Sequence, residues 1–138
     1  MNTSSRNISA KCDSPVACLI GPEGLDQAST WADEIRNDPN WQPPLKNPSP
    51  WHFISIDDDE TLETTARDPK GDVLEAIERF SAVLRDAQAT RQAKQEALRF
   101  LVHFVGDVHQ PLHVGRRADR GGNSIEVTLF GDRTNLHS

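Results

Sequence analysis

A mainly α fold is what this sequence predicts, and three observations point to it. Three stretches space their apolar residues at a helical period, prolines gather between the first and the second, and only one short stretch, IEVTLF, alternates. At 138 residues the chain suits one domain large enough for a real core. With 36% apolar and 6% aromatic residues, that core is lean.

The first twenty residues are polar, show no period and are expected to be poorly ordered. Their cysteines, Cys12 and Cys18, are close enough for a small disulfide loop, and two unrelated thiols fit equally well. This opening stretch has no apolar h-region, so it is not a secretory signal as it stands. After GPEG a helix is predicted, with Leu25, Ala28, Trp31, Ala32 and Ile35 on one face. The proline-rich NDPNWQPPLKNPSP, residues 37–50, ends it and reads as an extended surface loop.

WHFISIDDDE comes next, short and partly alternating. Its acid run, Asp57 to Glu60, reads as a solvated turn that also caps the segment after it. GDVLEAIERFSAVLRDAQ predicts an amphipathic helix with Val73, Leu74, Ile77, Phe80 and Leu84 inward. A third helix is predicted from about Thr90 to Pro111, with an apolar face that widens toward Val108, so that its C-terminal half is expected to be the most buried segment of the chain. Turn signals on both sides of IEVTLF then predict a short strand or hairpin.

A formal charge of −6 argues against bulk electrostatic attraction to nucleic acid. It leaves room for an enzyme acting on phosphates, because bound divalent cations reverse the local sign at a site. GRRADR, with Arg116, Arg117 and Arg120, is a local basic patch that serves either to guide phosphates or as a solvated loop. No apolar run reaches the roughly 20 residues of a membrane span.

The chemistry concentrates in HFVGDVHQPLHVG, which holds three of the five histidines. His103 and Asp107 are four apart and stack on one helix face. Imidazole and carboxylate at this spacing are natural zinc ligands, although a plain hydrogen bond uses the same pair. Gly106 lets a neighbouring element approach closely, and Pro111 ends the helix so that His113 is delivered from the next turn. On the metal reading, the segment could serve two neighbouring metals, one on the helix and one beyond its end. Elsewhere His52 lies between Trp51 and Phe53, Asp33 and Arg36 share a helix face, and NLHS carries His137. Each of these has a structural reading of its own: a core histidine, a surface ion pair, an isolated imidazole.

STWADEIR, WHFISID, HFVGDVHQPLHVG, GGNSIEVTLFG and TNLHS, in this order, resemble the zinc-dependent single-strand nucleases and 3′-nucleotidases of the nuclease S-one/P-one type. The likeness runs from about Gly21 to Ser138. It implies a partial zinc-dependent nuclease domain over 21–138, preceded by a non-matching segment, 1–20. The implied fold is helical, like that of zinc nucleases and phospholipase C, with a short β-hairpin and truncated at both ends.

By the same resemblance, Asp33, His52, His103 and Asp107 correspond to the ligands of a first zinc ion, and Asp107 is shared with a second. His113 and His137 correspond to ligands of a third, more distant zinc. Arg36 resembles the arginine facing the scissile phosphate, Phe53 the aromatic on which a base stacks, and Asn123 a phosphate contact. Asp33 would also orient the attacking water. His109 matches a position that is not a ligand, and Ser55 stands where relatives often carry an acidic base contact.

The implied activity is hydrolysis of single-stranded DNA or RNA and of 3′-nucleotides by metal-activated water. The family carries three zinc ions. Residues 1–20 have neither the Trp nor the His of the second zinc site, and the aspartate expected after His137 falls beyond Ser138. Only the first zinc keeps its full ligand set, so a weak or inactive enzyme is expected. A related zinc phospholipase C and a non-catalytic zinc-binding remnant are the alternatives. The resemblance further implies a secreted or periplasmic monomer.

Overall fold

The computed structural model describes residues 14–36, 38–40 and 48–138. Cys12, most of the 1–20 segment and most of the proline-rich loop lie outside these residues. In order, the described elements are α1 (Pro15–Ile20), α2 (Gly24–Arg36), α3 (Val73–Arg85), α4 (Arg91–Val108), β1 (Glu126–Leu129) and β2 (Asp132–Asn135). Short 3₁₀ turns at Gly21–Glu23, Ser49–His52 and Pro111–Val114 join them.

The two longer predicted helices start where side chains satisfy their first backbone N–H groups. Asp72 accepts from the N–H groups of Leu74 and Glu75 to open α3, and Thr90 accepts from that of Ala93 to open α4. The acid run therefore does not supply the cap that its sequence position suggested. Asp57 and Glu60 instead fold back onto Arg117, which bonds to Asp57 Oδ2 at 2.7 Å and Glu60 Oε2 at 2.6 Å.

Residues 15–20 are helical, contrary to the expectation of disorder for the opening twenty. Ser14 caps α1 by accepting from Ala17 N at 3.1 Å, and Pro15 is preset for the first helical turn. Side chains of α4 then hold α1 from outside: Gln95 donates to the Leu19 carbonyl at 2.6 Å and Arg91 to that of Cys18. Cys18 is itself disulfide-bonded.

Helix α4 packs against both α2 and α3, which makes it the central element. The core it organises is Ala32, Ile35, Trp51, Ile54, Val73, Ala76, Phe100 and Phe104. Phe80, Phe100 and Phe104 form a run of rings, with centroids 4.5 Å and 5.4 Å apart, and Trp51 meets all three edge-on. Each such pair adds about 0.5–1.5 kcal/mol beyond the area it buries. This is how a lean apolar composition still yields a firm core. Leu25, placed on the inward face of α2 by its period, is instead about half exposed.

β1 and β2 form one antiparallel hairpin, with Glu126 opposite Asn135 and Leu129 opposite Asp132. Phe130 and Gly131 turn it with φ of 51° and 98°, the left-handed pair that two-residue hairpin turns require. Alternation in IEVTLF correctly marks the strand but not a buried face, since Leu129 and Phe130 are both exposed.

Candidate metal centre

The site forms where the ends of α2 and α4 meet the Ser49–His52 turn. Asp33 lies in the last turn of α2, and Arg36 is its final residue. His52 ends its turn and is held by its neighbours on both sides. Trp51 donates from Nε1 to the Lys70 carbonyl at 3.0 Å, and the Ile54 N–H donates to the His113 carbonyl at 2.9 Å. The second of these bonds ties the His52 segment to the turn that carries His113. Gly71 makes the Trp51 contact possible: its φ is 90°, and a Cβ there would come 3.2 Å from Trp51 Nε1.

His52 Nδ1 lies 3.0 Å from His103 Nε2 and 3.1 Å from Asp107 Oδ2, and His103 Nε2 lies 3.2 Å from the same oxygen. Asp33 approaches from α2, with Oδ1 3.9 Å from His52 Nδ1 and Oδ2 3.8 Å from His103 Nε2. A tetrahedral zinc ion with bonds of about 2.0–2.1 Å would hold its ligands about 3.3 Å apart. These atoms therefore already stand close to the edges of such a tetrahedron, and His52 and Asp107 are buried.

The supporting bonds also fit a ligand set. His103 Nδ1 donates to the Ser29 carbonyl at 2.5 Å, which leaves Nε2 facing His52 and Asp107. Ser29 is a partner that sequence reasoning missed, because a backbone carbonyl leaves no residue-type signal. Burial opposes charge on both Asp107 and His103. Hydrogen bonds and charge from His103 and His52 outweigh it at Asp107 and hold that carboxyl well below the usual carboxylate range. Bonds to Asp107 and Ser29, with the charges of Asp107 and Asp33, raise His103.

His113 lies beside this cluster. Its Nδ1 is buried, 3.0 Å from Asp107 Oδ1, yet lacks the alignment of a hydrogen bond. A buried ring nitrogen without a hydrogen-bond partner is an available ligand atom for a cation. His137 stacks on His113 with ring centroids 5.4 Å apart and donates from Nδ1 to the Gly121 carbonyl at 2.7 Å. His109 bonds from Nδ1 to the Val105 carbonyl on its own helix, away from the cluster.

A cleft of about 550 Å³ opens in front of these groups. Asp33, Arg36, His52, Phe53, Asn123 and His137 are among its lining residues. Arg36 Nη1 lies 3.4 Å from Asp33 Oδ1, and Phe53 is 45% exposed, so its ring is available to a ligand in the cleft. Asn123 donates from Nδ2 to the Arg120 carbonyl at 2.9 Å. The nine residues expected from the sequence to bind metal or substrate or to act in catalysis, Asp33, Arg36, His52, Phe53, His103, Asp107, His113, Asn123 and His137, thus lie in or beside one cluster and one cleft. The arrangement offers imidazole and carboxylate donors to a cation, an arginine beside them and an aromatic face.

Comparison with known proteins places the chain among nucleases. Residues 4–138 match the family described as S1/P1 Nuclease. Nuclease P1 of Penicillium citrinum is 37% identical over 123 residues, covering 83% of this chain and 42% of that protein. Endonuclease 4 of Arabidopsis thaliana is 35% identical over 125 residues, covering 82% and 40%. Nuclease S1 of Aspergillus oryzae is 34% identical over 118 residues, covering 82% and 39%. The chain therefore spans well under half the length of the relatives it matches.

Proposed function

Because this chain belongs to the S1/P1 nuclease family, we propose that it hydrolyses phosphodiester bonds in single-stranded DNA or RNA, and 3′-nucleotides, at a zinc centre. The observation that carries this reading is the convergence of His52 Nδ1, His103 Nε2 and Asp107 Oδ2 within 3.2 Å of one another, with Asp33 alongside. Asp33, His52, His103 and Asp107 would hold the first zinc. Asp107 would be shared with a second ion, and His113 and His137 would serve a third. Bound there, zinc supplies Lewis acidity, which activates water near neutral pH and offsets charge on phosphoryl oxygens.

The chain's own residues do the rest. Asp33, at the mouth of the cluster, accepts a hydrogen bond from the attacking water and aims it in line with the leaving oxygen. Arg36 leaves its loose pairing with Asp33 and donates to the phosphoryl oxygens, where its planar fork meets the charge that builds in the transition state. Asn123 donates to a phosphate oxygen. Phe53 stacks on a base, which only an unpaired strand presents, for about 1–3 kcal/mol per base.

An oxidising, secreted or periplasmic location is part of the proposal, supported by the disulfide at Cys18. No helix among the described residues is long and apolar enough to cross a membrane. The test is a side-by-side assay of the zinc-loaded protein on single-stranded DNA, duplex DNA and phosphatidylcholine. Cleavage of the single strand, lost in Arg36→Ala with zinc content unchanged, is expected. Turnover of phosphatidylcholine alone would make the protein a phospholipase. Zinc binding without turnover of any substrate would make it a non-catalytic zinc module.

A further inference from the structure

The three arginines of GRRADR meet different fates. Arg116 pairs with Asp58 at the surface. Arg117 is consumed by Asp57, Glu60 and the Thr65 hydroxyl, so the acid run neutralises two of the three. Arg120 is exposed and lines the same cleft as Asp33, Arg36 and Phe53. Among the described residues its guanidinium has neither a hydrogen-bond nor an ion-pair partner.

Its backbone, by contrast, is held firmly. Arg120 has a φ of 49°, a left-handed conformation that residues with a side chain rarely adopt. The Arg120 N–H donates to the Arg117 carbonyl at 3.1 Å, and its own carbonyl accepts from Asn123 Nδ2 at 2.9 Å. The chain then continues through Gly121 and Gly122, wedged against Leu112 and His137. A permanently charged planar group is thus mounted on a fixed turn at the cleft, while the two other arginines that line it among the described residues, Arg36 and Arg117, face Asp33 and the acid run.

We infer that Arg120 binds a phosphodiester flanking the scissile one, so that the cleft discriminates strands from mononucleotides. The inference rests on the nuclease reading above. A guanidinium matches two oxygens of a phosphodiester through parallel N–H bonds. A 3′-mononucleotide has no second phosphate to offer, so it gains nothing from this residue.

The experiment uses the zinc-loaded chain with Arg120→Ala, Arg120→Lys and, as a surface control, Arg116→Ala. In Arg120→Ala the KM for oligo(dT) rises roughly three- to tenfold while that for 3′-thymidylate stays put, and the control changes neither. Binding of a hydrolysis-resistant phosphorothioate oligo(dT), followed by anisotropy against NaCl, loses about 0.7 from its log–log salt slope, the contribution of one single-strand phosphate contact. Arg120→Lys keeps the slope. Equal effects on strand and mononucleotide, or an unchanged slope in Arg120→Ala, overturn the inference. Failure to hydrolyse either substrate sinks the nuclease reading alone, because the phosphorothioate slope still decides the role of Arg120. If the wild type does not bind that strand, both fall.

Discussion

Phe104→Ala separates the core from the metal centre and tests whether they are mechanically joined. Phe104 is fully buried, with its ring centroid 5.4 Å from Phe100 and 6.5 Å from Trp51 on the core side. On the other side it lies 5.1 Å from His52 and 5.7 Å from His103. Truncating a buried Phe costs about 3–5 kcal/mol, and rigid rings on several sides leave little room for collapse into the cavity. The two histidines lose their platform in the same change, so zinc affinity falls by about ten- to a hundredfold, the range for lost support behind a metal ligand.

Urea unfolding followed by tryptophan fluorescence reports the first effect, since Trp51 lies in the core and Trp31 packs on it. Zinc competition against a chromophoric chelator reports the second. Phe104→Leu, which keeps most of the volume, should lose less than about 1.5 kcal/mol and bind zinc nearly as the wild type does. A Phe104→Ala protein within about 1 kcal/mol of the wild type would refute the packing argument, for which a cavity cost several times larger is expected. Unchanged zinc affinity in a destabilised variant would refute the mechanical link.

Three further outcomes are expected. Arg117 donates to Glu60 and holds its carboxyl below the ordinary glutamate range, so this pair stabilises the fold fully above the unfolded glutamate value and is lost as pH falls through the folded one; Glu60→Gln should flatten the acid limb of a melting-temperature-against-pH curve, and an unaltered limb counts against it. Gly122 has a φ of 85°, and a Cβ there would meet Leu112 Cδ1 at 3.1 Å and His137 N at 3.3 Å. Gly122→Ala should therefore cost at least about 1–2 kcal/mol in chemical denaturation, and a neutral result would show that the turn relaxes freely. Phe53→Ala, at a residue 45% exposed, should leave the melting temperature alone and weaken oligo(dT) binding by about 1–3 kcal/mol, whereas intact binding would place the base elsewhere.

Much of this molecule is legible in its sequence, because its strongest signals are local. The helical period of α3 and α4, the start of α4 near Thr90 and the i, i+4 pair of His103 and Asp107 all lie within single segments, where spacing determines which face a residue occupies. The features that were hidden depend on distant partners. Helix α1 has only six residues and relies on Arg91 and Gln95, more than seventy positions away. The acid run looks solvated until Arg117, about sixty residues later, closes on it. The GG before Asn123 looks like any turn signal, and only the fold reveals that Leu112 and His137 crowd it.

Whether Asp33, His52, His103 and Asp107 form one zinc site is decided by counting the metal. The direct measurement is zinc per chain by elemental analysis after dialysis against metal-free buffer, for the wild type and for His103→Ala. At least one tightly held zinc is expected in the wild type and its loss in His103→Ala, with the helical circular-dichroism signal of the variant preserved. A wild-type chain that retains no zinc, or a variant that retains as much as the wild type, would contradict it.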